Sequence, residues 1–105
     1  MSAPGPYSIG SEHLPGLSKL IEECGEVVQV AGKILGMGGF GQHFDGTNSK
    51  ERLQEELGDL LAAISFVEMY CGLDRNALGI REAEKLSKFI GWHKEHEALT
   101  GGGRR

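Results

Sequence analysis

Residues 17–35 read LSKLIEECGEVVQVAGKIL, and residues 49–71 read SKERLQEELGDLLAAISFVEMYC. In the first stretch Leu17, Leu20, Ile21, Cys24, Val28, Ala31 and Leu35 recur mostly at three- and four-residue steps, which predicts one apolar stripe along a helix. In the second, Leu53, Leu57, Leu60, Leu61, Ile64 and Cys71 do the same. Gly36 and Gly72 are placed to end the two helices. Asn48 is placed to cap the second, with Glu51 three residues on at capping-box spacing.

Outward from these stretches the pattern weakens. Asp74 can cap a third helical region, where Leu78, Ala83, Leu86, Phe89 and Ile90 give a thinner stripe and Gly79 is placed to break the first turn from the rest. All three prolines fall in residues 1–16, which read as an irregular arm, ahead of a helical domain over 17–99. Residues 36–48, GMGGFGQHFDGTN, form a glycine-rich loop, and 100–105 read as a disordered tail. No alternating strand pattern and no internal repeat is present. The expected fold is an all-α helical bundle.

Composition sets limits on function. With 15 acidic against 11 basic residues, the net charge of -4 argues against non-specific nucleic-acid binding, which needs a basic surface. Cys24 and Cys71 have no CxxC partner and read as reduced, buried, small hydrophobes. The start has neither a basic n-region nor an apolar run, and no stretch is long enough to span a bilayer, so the expectation is a soluble cytoplasmic protein without a membrane partner. A 105-residue chain buries a thin core, which favours self-association.

The acids are clustered. The run IEECGEVV carries Glu22, Glu23 and Glu26, and QEELGDLL carries Glu55, Glu56 and Asp59. Glu23/Glu26 and Glu56/Asp59 are each three apart, on one helical face at roughly 5–6 Å between Cβ atoms. In projection Glu23 falls between Val27 and Val30, and Glu56 falls near Leu60, Ala63 and Val67, at the flanks of the apolar stripes. Antiparallel packing would bring the pairs together. Four half-buried carboxylates repel unless a cation compensates, and hard oxygen donors select Mg²⁺, Mn²⁺ or Ca²⁺. One such pair is ordinarily a solvated face; two, each flanking an apolar stripe and each enclosing a glycine (Gly25, Gly58), argue against that.

The runs EECGE at 22–26 and ELGD at 56–59 resemble the ExxE…ExxD signature of the MazG-like, all-α nucleoside triphosphate pyrophosphohydrolases. LSKLIEECGEVVQ before the loop and TNSKERLQEELGDLLAAI after it support the likeness, which covers about residues 17–71 and extends more loosely through EKLSKF. The 29 residues between Glu26 and Glu56 depart from the pattern, at or just beyond the upper end of the family's usual gap, and the glycine-rich loop absorbs the excess. The resemblance implies Mg²⁺-dependent cleavage of a nucleoside triphosphate, ribo or deoxy, to a monophosphate and pyrophosphate, by a dimer or tetramer. It places Glu23, Glu26, Glu56 and Asp59 on the metal, with Mn²⁺ as a possible substitute. Glu22 or Glu23 is the candidate general base. Lys85 and Lys88 are candidates for contacting the triphosphate, Lys33 and Asn48 weaker ones, and Trp92 a candidate to stack on a base.

Other features carry less. Gly36 to Gly41 matches GxGxxG, but after a helix rather than a strand, so a dinucleotide fingerprint is rejected. His93 and His96 read as a solvated helix end rather than a metal site. Phe40 and Phe44 either close over a nucleotide or pin the loop. Two rival classes stand beside the enzyme: a non-catalytic helical module with an acidic partner-binding surface, and a di-iron carboxylate protein, disfavoured because Glu-x-x-His is missing.

Overall fold

The computed structural model describes residues 13–42, 46 and 48–101. Most of the expected arm, Phe44 and the tail from residue 102 lie outside them. The chain is all-α: α1 spans Leu17–Gly36, α2 Ser49–Tyr70 and α3 Arg75–Leu99, and no strand occurs among the described residues. It divides into two compact units, Met1–Leu73 with α1 and α2, and Asp74–Arg105 with α3.

In the first unit α1 and α2 pack antiparallel. Gly16, just before α1, lies against Phe66 and Val67 near the end of α2. At the other end Gly41, after α1, meets Ser49 at the start of α2. Gly41 N–H donates to Ser49 Oγ at 2.8 Å, and Ser49 N–H donates to the Gly41 carbonyl at 2.9 Å. Ser49 is almost wholly buried, so this reciprocal pair closes the neck of the loop. Asn48 caps α2 as expected, its side chain accepting from Lys50 N–H and Glu51 N–H. The Lys50 ammonium stands 5.8 Å over the centroid of the Phe40 ring, which ties Phe40 to the loop neck.

The packed face differs from the expected stripe. On α1, Ile21, Val28 and Leu35 are 73%, 69% and 81% exposed, and Cys24 is exposed too. Leu20, Glu23, Val27, Val30 and Ile34 turn inward instead. On α2 the inward set is Ser49, Leu53, Glu56, Leu60, Ala63 and Val67, while Leu57, Leu61 and Ile64 are exposed. Both inward sets step by three and four residues alternately, the rhythm of a two-helix seam. The reason lies in the sequence: α1 carries apolar residues on two adjacent faces, and α2 can cover only one of them. The buried apolar core of the described residues is small, Val30, Ala63 and Val67.

Gly16 makes the corner into α1. Its φ of 87° is left-handed, and a Cβ there would stand 2.6 Å from Phe66 Cδ1. The Cys71 thiol donates weakly to the Pro15 carbonyl at 3.5 Å, so Pro15 and Gly16 are held to α2.

The second unit is the single helix α3. Asp74 caps it, accepting from Asn76 N–H and Ala77 N–H. Gly79 does not break its first turn: the helix runs unbroken through it. Leu78, Leu86, Phe89 and Ile90 are exposed rather than core. No helix among the described residues is long and apolar enough to cross a membrane.

The corner and the cap should dominate local stability. Gly16→Ala adds about 1–2 kcal/mol of left-handed strain to the Phe66 clash, and Asn48→Ala should cost about 1 kcal/mol. Urea unfolding curves check both. Two unchanged midpoints would contradict this account of how α1 and α2 are joined.

Candidate metal centre

The same seam that packs α1 on α2 brings acids together. Glu23 takes an inward position on α1, and Glu56 and Asp59 lie one turn apart on α2. One carboxylate oxygen from each of Glu23, Glu56 and Asp59 lies within 4.8 Å of the others. Two oxygens on one hard divalent cation are about 4.2 Å apart at most for Mg²⁺ and about 5 Å for Ca²⁺, twice the metal–oxygen distance. The trio therefore fits such an ion after a small inward rotation of side chains. Glu56 is half-buried, its side chain 13% exposed, and Arg52 pairs with its Oε2 at 3.9 Å. That pair sets one partly exposed cation against three carboxylates and leaves the cluster net negative.

The mutual repulsion is visible in Glu23. Loss of hydration raises its pKa above the ordinary carboxylate value, and the charge of Asp59, then those of Glu22 and Glu26, push it further. Glu26 is half-buried one turn beyond Glu23 and stands outside the trio. Glu22 is exposed and accepts from the Lys19 ammonium at 2.8 Å.

The remaining sequence candidates are spread along the chain. Lys33 is exposed in the last turn of α1, and Asn48 is committed to capping α2. Lys85, Lys88 and Trp92 lie on α3. There the Lys85 ammonium stands 5.8 Å from the centroid of the Phe89 ring, and Phe89 makes a tilted contact with Trp92. His93 pairs with Glu97 at 3.4 Å, a one-turn contact on an exposed helix face.

A half-open cavity of about 250 Å³ adjoins the trio. Glu23 and Asp59 form one end, Gly16 and Lys19 enter from the α1 side, and Ala62, Ala63 and Phe66 enter from α2. Sequence reasoning missed Lys19 and Phe66. The signal was there for Lys19, which precedes Glu23 by four residues and so shares its face. Phe66 carries no such local signal, because its place beside Gly16 comes from the packing of α2 on the corner into α1.

No curated protein and no solved structure matches the chain. The MazG nucleotide pyrophosphohydrolase domain matches over residues 12–94, most of the chain, and that span contains both helices of the acidic centre. A match of this extent, on a helix pair that gathers the acids of both motifs, shows that the chain belongs to the MazG nucleotide pyrophosphohydrolase domain family.

Proposed function

We propose that the protein is a Mg²⁺-dependent nucleoside triphosphate pyrophosphohydrolase that cleaves the α–β phosphoanhydride to give a nucleoside monophosphate and pyrophosphate. The observation that carries this reading is the gathering of Glu23, Glu56 and Asp59 within 4.8 Å in a chain of this family. Glu23, Glu56 and Asp59, with Glu26 one turn on, hold the metal. When bound, Mg²⁺ neutralises phosphate charge and orients an in-line water, and Mn²⁺ can stand in for it. The chain's own part is to fix the carboxylates on two rigid helices, so that no loop movement is needed to assemble them. Glu23 is the favoured proton acceptor, because its surroundings already raise its affinity for a proton. Glu22 is the second candidate, and its salt bridge to Lys19 must open first.

We also propose that a second copy of the chain covers the apolar face left bare by the seam. Ile21, Val28 and Leu35 of α1 and Leu57, Leu61 and Ile64 of α2 are exposed, whereas among the described residues only three apolar ones are buried. So small a core needs more apolar burial to be stable. The working compartment we propose is the cytoplasm.

Phosphorus NMR of a turnover mixture should show monophosphate and pyrophosphate as primary products, lost on chelation; orthophosphate with a diphosphate would overturn the assignment. Light scattering should give at least twice the chain mass at micromolar concentration, and Leu61→Arg should lower it; an active monomer would rule out the second copy. The acids should trade stability for activity. Asp59→Asn and Glu56→Gln should cut turnover at least ~100-fold while leaving the metal-free protein as stable as the parent or more so. The raised Glu23 pKa means that the folded state binds more protons than the unfolded state above the ordinary carboxylate value. Metal-free stability should therefore fall as pH rises from that value through the raised one, then level off, and Glu23→Gln should remove this slope. Mg²⁺ at a hundred times its dissociation constant should add about 2.7 kcal/mol to the parent and less to the amide variants. Melting curves with and without Mg²⁺ decide it; equal Mg²⁺ stabilisation of parent and variants would mean that the carboxylates are structural.

A further inference from the structure

The cavity beside the trio has two chemically different ends. At one end Glu23 and Asp59 are joined by Lys19, the cation among the described residues that line it. At the other, the wall is the Phe66 ring over the small side chains of Ala62 and Ala63. The ring is held on two sides: it stacks on Tyr70 at 4.4 Å between centroids and 24° between planes, and its edge abuts the Gly16 backbone, where no Cβ could fit. A fixed aromatic wall beside a cation and carboxylates suits a ligand that is flat and apolar at one end and anionic at the other. At about 250 Å³ the space lies below the ~300–1,000 Å³ of pockets for whole drug-sized ligands. It has room for one moiety of a nucleotide, not for all of it.

We propose that this cavity receives the nucleoside end of the substrate, that Lys19 binds the phosphate next to it, and that the Gly16–Phe66 contact sets the cavity's width. This rests on the pyrophosphohydrolase reading and deepens it. Lys19 is available for that task at small cost. Its tie to Glu22 is an exposed pair on one helix, 38% and 56% exposed at the two side chains, and such pairs contribute little. A phosphate held against the carboxylates by metal is the stronger acceptor, so the ammonium exchanges Glu22 for phosphate as substrate arrives. Ala62 and Ala63 leave room where larger side chains would close the floor. Ala62 is itself exposed on the helix surface, so enlarging it fills the cavity without disturbing the seam.

Calorimetric binding of two probes with Mg²⁺ tests this: a non-hydrolysable α,β-methylene nucleoside triphosphate, tried with each base, and inorganic tripolyphosphate, which has no nucleoside. Lys19→Met should weaken both probes at least about tenfold, the scale of one charge-assisted hydrogen bond. Its affinity for Mg²⁺ alone should be unchanged or tighter, because a neighbouring positive charge is gone. Ala62→Leu should weaken the nucleotide at least ~tenfold and leave tripolyphosphate within about twofold. If Lys19 merely offsets the acids, Lys19→Met will leave tripolyphosphate affinity unchanged, which overturns its role. Equal loss of both probes in Ala62→Leu, or loss of neither, overturns the assignment of the cavity. A parent that binds neither probe removes the pyrophosphohydrolase reading as well; a parent that binds both while the variants match it removes this inference alone.

Discussion

Everything in the first unit depends on the α1–α2 seam, where apolar packing and carboxylate repulsion share the same row of positions. Val27, Val30, Leu60, Ala63 and Val67 supply the attraction, and Glu23 and Glu56 occupy steps of the same rhythm. A two-helix seam is normally apolar at those steps. Placing acids there costs hydration and sets like charges against each other, as the raised pKa of Glu23 records. The seam persists because the flanking turns are packed at both ends, by Gly16 against Phe66 and by Ser49 against Gly41. The strain is thus concentrated where the carboxylates of the two helices meet.

That arrangement also explains the chain's surface. A helix with apolar residues on two faces can satisfy only one of them with a single partner helix. The face of α1 that carries Leu20, Glu23, Val27, Val30 and Ile34 turns inward, and the face with Ile21, Val28 and Leu35 lies outside.

Much of this was legible in the sequence. Helix spans, the Asn48 and Asp74 caps and the glycine-rich connection follow from local rules that act within a turn. The acidic pairs were legible through their three-residue spacing, and the projection of Glu23 between Val27 and Val30 pointed to the correct face. The choice of stripe was not legible, since Ile21, Cys24 and Val28 are as apolar as their packed neighbours and only a tertiary partner distinguishes them. Gly79 gave no break because one glycine costs a helix only ~1 kcal/mol, which the flanking turns of α3 absorb. Phe66 acquired its role from Gly16, fifty residues earlier in the chain, a relation that no window of local sequence contains.

The closed neck at Gly41 and Ser49 has a consequence for how such a chain can change. Because two hydrogen bonds and a buried serine clamp the ends, the connection beyond the neck is a cassette. Its length is uncoupled from the register of the two helices. Closing a longer flexible loop costs only about 0.6 kcal/mol for each doubling, a penalty that falls on the loop and not on the distance between Glu23 and Glu56. Insertions beyond the neck are therefore tolerated while the carboxylates keep their places.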